Sequence, residues 1–288
     1  MTAPIPAPPG FTPDEWETFE RDGILILDDV LSPGETAALR DAVDARTPRA
    51  RQGDIVALDS RFVPLIDHPQ HVGRMFDVYG DMLKLLSSEL FRREPGQANR
   101  NNWHFDGPRL LPFGSFSDRA PLRVKVGYWL TALPRKEMGN LIYVPGSHRW
   151  DHLPQYHTHE PHPQEKHLTV GPGAMTLMWG GLWHRVDVNR SRTTRRNVFL
   201  EYGPSWLVAT DRTHTDPQWA AGLSRERRII LRAYDDPNQG VKPPAEDVPL
   251  YLDRLGQDAP DPVGTRYVDH VPLELRRRTT WVERRGKA

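Results

Sequence analysis

Two hydrophobic periods divide the chain. The first ninety residues carry mostly three- and four-residue spacing, and the segment after Pro95 carries alternation. Phe11-Thr12-Pro13-Asp14-Glu15 predicts a short helix with Thr12 as N-cap and Pro13 at the first helical position; it carries Trp16 and Phe19 and stops near Gly23. Ile24 to Leu27 is a short apolar strand. Ser32-Pro33-Gly34-Glu35 has the form of a capping box opening a helix to about Arg46. From Gln70 to Phe91, the positions Val72, Met75, Phe76, Tyr79, Leu83, Leu86 and Leu90 predict one long amphipathic helix whose stripe is core. Four strands are then expected, over 122–130, 141–144, 174–179 and 195–202, punctuated by Pro145-Gly146, Gly171-Pro172-Gly173, Gly180-Gly181 and Gly203-Pro204. Residues 222–232 read as a last helix, and 233–262 as a Pro/Asp-rich loop region. Short strands with regular turns argue for a sandwich or jelly roll. No internal repeat interrupts it.

Composition narrows the chemistry. Lys+Arg and Asp+Glu balance at 38 each, which gives no electrostatic footprint for nucleic acid. With no cysteine there is no disulfide, thiolate site, Cys nucleophile or iron–sulfur cluster, so any metal must sit on His, Asp or Glu. No run approaches the ~20 apolar residues of a membrane helix. Met1 to Gly10 lacks the layout of a signal peptide. The expectation is a cytoplasmic protein with neither a membrane nor a nucleic-acid partner; nothing in the pattern specifies an oligomeric state.

The most informative segment is Asn101-Asn102-Trp103-His104-Phe105-Asp106-Gly107. On a strand, residues i and i+2 face the same side, so His104 and Asp106 can enter one cavity while Phe105 points away. An imidazole and a carboxylate on one face are two thirds of a 2-His-1-carboxylate triad, which suits Fe(II) with open coordination positions. His184, after the apolar strand 174–179 and the turn Gly180-Gly181, is the candidate third ligand. The hairpin through Asn189-Arg190-Ser191 returns Arg195 toward the same place, on a face shared with Asn197, Phe199 and Glu201. A buried arginine there needs an anion, and its planar fork suits a carboxylate.

These segments together resemble the phytanoyl-CoA dioxygenase family of Fe(II)/2-oxoglutarate oxygenases. The resemblance begins at Phe19-Glu20-Arg21-Asp22-Gly23-Ile24-Leu25-Ile26-Leu27-Asp28-Asp29. It continues through Trp103-His104-Phe105-Asp106-Gly107 and Leu141-Ile142-Tyr143-Val144-Pro145-Gly146-Ser147-His148, and ends with His184 and Arg195. It implies iron on His104, Asp106 and His184. It places the distal carboxylate of 2-oxoglutarate on Arg195, eleven positions after the distal histidine, with Arg196 as the alternative one register away. Lys125, on Val124-Lys125-Val126, falls where relatives carry a polar group near the cosubstrate; as a bare residue it reads equally well as an exposed strand lysine. The implied fold is mainly β with flanking helices (α+β), a double-stranded β-helix (jelly-roll, cupin-like) core with N-terminal helices on one face. The domain reading is a flexible arm at 1–10, one oxygenase domain over 11–275 with a loop insertion near 150–170, and a basic tail at 276–288.

The implied reaction consumes Fe(II)-bound 2-oxoglutarate and O2, releases succinate and CO2, and oxidises a small-molecule substrate. The Asp106 carboxylate favours hydroxylation over halogenation; desaturation, epoxidation and cyclisation use the same site. Two departures from the family pattern bear on the cosubstrate contacts: Met138-Gly139-Asn140-Leu141 before the Pro-Gly-Ser-His turn, and Arg185-Val186 after the distal histidine. His148 is expected to be structural. His152, His157, His159, His162 and His167 read as a loop near the mouth of the barrel, closer to a lid than to a second metal site. Trp103, Phe113, Phe116, Trp129, Trp150 and Trp206 are candidate pocket walls, and Arg109 a candidate anion partner. The rival readings are a cupin-like isomerase or hydrolase using Zn or Mn without 2-oxoglutarate, and a non-catalytic binding protein on an oxygenase scaffold.

Overall fold

The computed structural model describes residues 4–46, 51–97, 101–106, 121–234, 244 and 247–252. Arg109, Phe113, Phe116, most of 233–262 and the basic tail 276–288 therefore lie outside the described residues. In chain order the helices and strands are α1 (Pro13–Asp22), β1 (Ile24–Leu27), α2 (Pro33–Asp44), β2 (Arg51–Gly53), α3 (Ile55–Leu58), α4 (Pro69–Tyr79), β3 (Leu83–Arg93), β4 (Val124–Trp129), β5 (Leu141–Tyr143), β6 (Lys166–His167), β7 (Ala174–Trp179), β8 (His184–Val186), β9 (Arg195–Pro204), α5 (Pro217–Ala221) and α6 (Arg225–Leu231). The chain divides into two compact units, one of residues 18–65 and 87–201, the other of 1–17, 66–86 and 202–288.

The first unit holds the jelly-roll sheets. One sheet has the strand order β1-β7-β4-β9-β3-β2, the other β6-β5-β8. β7 pairs antiparallel with both β1 and β4, and β5 with both β6 and β8. The inner faces of both sheets meet in one apolar cluster: Ile24, Trp129, Ala174 and Met178 from the larger sheet, Leu141 and Tyr143 from the smaller. The alternate positions Ile142 and Val144 join Trp103, Leu153 and Trp183 in a second cluster. This is the period-2 division expected of a strand covered on both faces. Ser32 caps α2 with the expected reciprocal box: its hydroxyl accepts from the Glu35 N–H, and Glu35 accepts from the Ser32 N–H at 2.8 Å.

In the other unit, Thr12 caps α1 as expected, its hydroxyl accepting from the Glu15 N–H, and the Glu15 carboxylate accepts in turn from the Thr12 N–H. The helix expected over Gln70–Phe91 is corrected: α4 ends at Tyr79, Gly80 takes a positive φ of 54°, and the chain resumes as the strand β3. Leu83 to Leu90 is buried throughout, including Lys84, Ser87, Ser88 and Glu89. A strand buried on both faces shows no alternation, so its leucines also satisfied the helical template. Lys84 is stabilised by donating to the Leu207 carbonyl at 2.9 Å. The backbone from Ile5 to Ala7 is hydrogen-bonded to Leu252, and Pro8 and Pro9 lie across α4 at Gly73.

Gly73 yields a test. In an exposed helix, Gly→Ala is favourable by ~1 kcal/mol. Here a Cβ would strike the carbonyl oxygens of Pro8 and Pro9, well inside contact distance. Gly73→Ala is expected to destabilise by about 1–3 kcal/mol, the usual scale of overpacking. Urea denaturation checks this, and deletion of residues 1–10 is expected to remove the penalty and make alanine the more stable of the two side chains.

Candidate metal centre and active site

Main-chain pairing builds the centre. His104 and His184 form an isolated antiparallel bridge. His104 N donates to His184 O at 3.0 Å, and His184 N donates to His104 O at 2.8 Å. Directly opposed residues of an antiparallel pair project to the same face, and the two rings lie 4.3 Å apart between centroids. Each ring is then oriented through Nδ1, which meets the Asn102 carbonyl at 2.7 Å in His104 and the Leu182 carbonyl at 2.8 Å in His184. With Nδ1–H donating, Nε2 carries the lone pair, the form a metal ligand needs.

Asp106, two residues after His104, brings its carboxylate to the same point: 3.6 Å from His184 Nε2 and 4.0 Å from His104 Nε2. One donor atom from each of the three lies within 4.8 Å of the others, and among the described residues no second group of His, Cys, Asp and Glu does this. Gly180 permits the approach. A Cβ there would sit 2.7 Å from the Asp106 carbonyl oxygen, so a larger residue would push the turn after β7 off the Asp106 backbone.

Lys125 is no exposed strand lysine. It lines the cavity, donates to Asp106 Oδ2, and lies 5.4 Å from the centre of the Phe199 ring. Burial alone would raise the Asp106 pKa, but Lys125 and the two histidines hold its carboxyl well below the usual carboxylate range. Burial, then His104, lowers His184 to about 3, with Asp106 opposing. Burial also pushes Lys125 down, but Asp106 and Glu201 outweigh it and leave it raised. The site therefore presents a neutral His184 imidazole and an ionised Asp106 carboxylate over the neutral pH range, protonation states that metal binding requires.

The cavity beside the triad has a volume of about 390 Å³, within the range of small-molecule sites. Arg195 lines it and is buried. Its guanidinium donates to the Gly139 carbonyl and packs 5.5 Å from the Trp129 ring centre, and its Nε has no partner. Burial, then the nearby Arg93, lowers Arg195 to about 9. Arg196 is absent from this lining; it bonds Asp44 at 2.6 Å and the Thr194 carbonyl at 3.0 Å. The register of β9 thus puts Arg195 in the cavity.

Several side chains were not singled out by the sequence. Glu89, Phe91 and Arg93 occupy alternate positions of β3 and all line the cavity; reading this stretch as helix hid their common face. Glu201, which the sequence places on the face of Arg195, forms an ion pair with Arg123 at 3.2 Å, and burial pushes its carboxyl up against the pull of Lys125 and Arg123. The histidine-rich loop buttresses the metal motif through its backbone. Trp103 N donates to Thr158 O, His157 N donates to Trp103 O, and the Trp103 indole donates to Glu160 O at 2.7 Å. None of its histidines lines the cavity. His148 is buried, with Nε2 at 3.1 Å from the Glu20 carbonyl, and burial lowers it to about 4. Of the candidate aromatic walls, Trp129 lines the cavity, Trp103 is wholly buried, and Trp150 and Trp206 are exposed.

A two-histidine, one-carboxylate triad in the cavity of a double-stranded β-helix defines a mononuclear non-haem oxygenase architecture. The chain belongs to the phytanoyl-CoA dioxygenase (PhyH) family, whose sequence profile matches residues 19–197. The family's cofactors are Fe(II) and 2-oxoglutarate, with O2 as oxidant, and membership sets the cupin-like reading without 2-oxoglutarate aside. Among solved structures, HygX from Streptomyces hygroscopicus with nickel and 2-oxoglutarate bound is similar at TM-score 0.59 and 22% identity, over 70% of this chain and 90% of that one. The carbocyclase SnoK from nogalamycin biosynthesis matches at TM-score 0.54 and 20% identity, over 75% and 94%. The non-haem monooxygenase ThoJ matches at 0.56 and 20%, over 70% and 82%. At these identities the likeness establishes the fold. No curated protein matches the sequence. Among the described residues, no helix is long and apolar enough to cross a membrane.

The donor set, its protonation and its convergence all fit Fe(II). His184→Ala is expected to weaken Fe(II) binding by more than the ~10–100-fold typical of changes one layer further out. Anaerobic isothermal titration measures it; unchanged affinity would remove His184 from the ligand set.

Proposed function

We propose that this protein is a 2-oxoglutarate-dependent hydroxylase of a polar small molecule, with His104, Asp106 and His184 holding iron and Arg195 holding the distal carboxylate of 2-oxoglutarate. The observation that carries this reading is Arg195. Among the described residues it meets no carboxylate, yet it is buried in the cavity that holds the triad. A guanidinium in that position is stabilised by an anionic ligand, and its fork matches a carboxylate.

Bound iron and 2-oxoglutarate supply the oxidising chemistry, with succinate and CO2 as the co-products of substrate oxidation. The chain's own residues bind, orient and exclude water. His104 and His184 offer Nε2 because their Nδ1 positions are fixed by backbone carbonyls. Asp106 offers a carboxylate kept ionised by Lys125, and that carboxylate supports oxygen transfer over halide transfer. Lys125 stands ready to donate either to Asp106 or to a cosubstrate oxygen beside it. Trp129 closes the cavity around Arg195 and strengthens its electrostatics by displacing water.

The substrate class rests on the solvent-facing part of the wall. Arg51, Gln97 and Asn101 line it, and the Arg51 side chain is 66% exposed. Such a surface suits a ligand rich in hydrogen-bonding groups. HygX has been crystallised with hygromycin B, a precedent for a polar small molecule on this fold.

Succinate release during a screen of polar metabolites, under isotopically labelled O2, tests the reading. Label in a product hydroxyl supports it; succinate without label in any product would contradict hydroxylation. Arg195→Ala is expected to raise the half-saturating 2-oxoglutarate concentration by about 10–100-fold, the worth of a hydrogen bond to a charged group. Arg196→Ala should stay within about twofold, since that guanidinium is spent on Asp44. The reverse order would overturn the assignment of Arg195.

A further inference from the structure

We propose that Asn102 is a positioning residue of the iron centre: its side chain fastens the loop 153–160 to the segment that carries His104, so that docking of this loop and binding of Fe(II) strengthen each other. The inference rests on the ligand assignment above and adds a residue that is no ligand itself.

The two histidines are not held alike. His184 opens β8, whose pairing with β5 sets its register. His104 lies outside the named strands, and its sheet contact is the isolated bridge to His184. Its Nδ1 meets the Asn102 carbonyl at 2.7 Å. The imidazole is therefore only as well placed as the backbone at residue 102.

The loop supplies what the sheet does not. Asn102 Nδ2 donates to the His157 carbonyl at 2.6 Å. One residue on, Trp103 N donates to Thr158 O at 3.0 Å, and His157 N donates to Trp103 O at 3.3 Å. His159 Nδ1 meets the Asn101 carbonyl at 3.2 Å. The same loop reaches the second ligand segment. Tyr156 packs edge-on against Trp183, the residue before His184, with 5.3 Å between ring centres. None of residues 153–160 lines the cavity, so the loop grips both halves of the site from behind.

Docking places His157 in a demanding conformation. Its φ is +63°, a region that glycine enters freely and β-branched residues resist. The loop stays in place while its contacts with 101–103 offset that cost, and the Asn102–His157 hydrogen bond is the shortest of them. By linkage, whatever the docked loop contributes to holding His104 for iron, bound iron returns to the docking of the loop.

The experiment uses the full chain, titrated anaerobically with Fe(II) by calorimetry. Hydrogen exchange is followed by mass spectrometry, with and without Fe(II), in peptides spanning Trp103 and His157. Asn102→Ala should raise the Fe(II) Kd about tenfold, the lower end of the range for groups that orient a ligand. Fe(II) should slow exchange in both peptides about tenfold in the wild type, and less than about twofold in Asn102→Ala. His157→Gly keeps the carbonyl and suits the backbone, so its Kd should stay within about twofold of the wild type. His157→Val, which opposes that φ, should raise the Kd as Asn102→Ala does. The double variant Asn102→Ala, His157→Val should be no weaker than either single change, because both remove one contact.

An unchanged Kd in Asn102→Ala, alongside the loss expected of His184→Ala, would overturn the coupling and leave the metal centre intact. No loss in either would overturn both. Undiminished protection of the loop by iron in Asn102→Ala, or losses that add in the double variant, would show that the two residues act separately and overturn the proposal. A loss in His157→Gly equal to that in His157→Val would assign the effect to the imidazole and overturn it as well.

Discussion

Two reciprocal main-chain hydrogen bonds between His104 and His184 are the constraint on which the site depends. They join a segment that follows a long break in the sheet to the hairpin that leaves β7. They also fix which face both side chains use, because a one-residue slip would turn either imidazole to the opposite side. Asp106 then needs no separate device, since strand alternation returns it to the face of His104. The supporting parts serve this pairing. Gly180 lets the β7 turn close on the Asp106 backbone, and the histidine-rich loop ties down Trp103 beside His104.

The second organising feature is how charge is distributed around the cavity. Buried ion pairs contribute little net stability, because desolvation offsets their attraction. The pairs Asp106–Lys125 and Glu201–Arg123 are thus better understood as setting protonation and orientation than as holding the fold together. Arg195 is the counter-example. It is buried beside another arginine and opposite no acid among the described residues. An arrangement that is costly in the free protein and relieved by an anion is what a binding site for a dicarboxylate requires.

Much of this was legible in the sequence, for reasons that are local. The His104–Asp106 spacing encodes a shared face as soon as the segment is extended. The N-cap at Thr12 and the capping box at Ser32 declare their helices because each needs only a few neighbouring residues. Strand β7 was bounded by its glycines. What could not be read depended on tertiary partners. Strand β3 passed for the end of a helix because it is buried on both faces, and its buried lysine, Lys84, is satisfied by a tertiary partner, the Leu207 carbonyl. That misreading also concealed the Glu89, Phe91, Arg93 face. The choice between Arg195 and Arg196 hinged on one residue of register, which the burial of Arg195 beside a half-buried Arg196 decides. For Lys125, sequence could not separate a solvated strand lysine from one aimed at a carboxylate.

The central claim is that His104, Asp106 and His184 assemble one iron centre that also chelates 2-oxoglutarate. Anaerobic titration of the protein with Fe(II) and 2-oxoglutarate, followed by visible absorption, tests it most directly. A weak charge-transfer band is expected that appears only when both components are present and is lost in Asp106→Ala. Tight iron binding with no band on adding 2-oxoglutarate would contradict it.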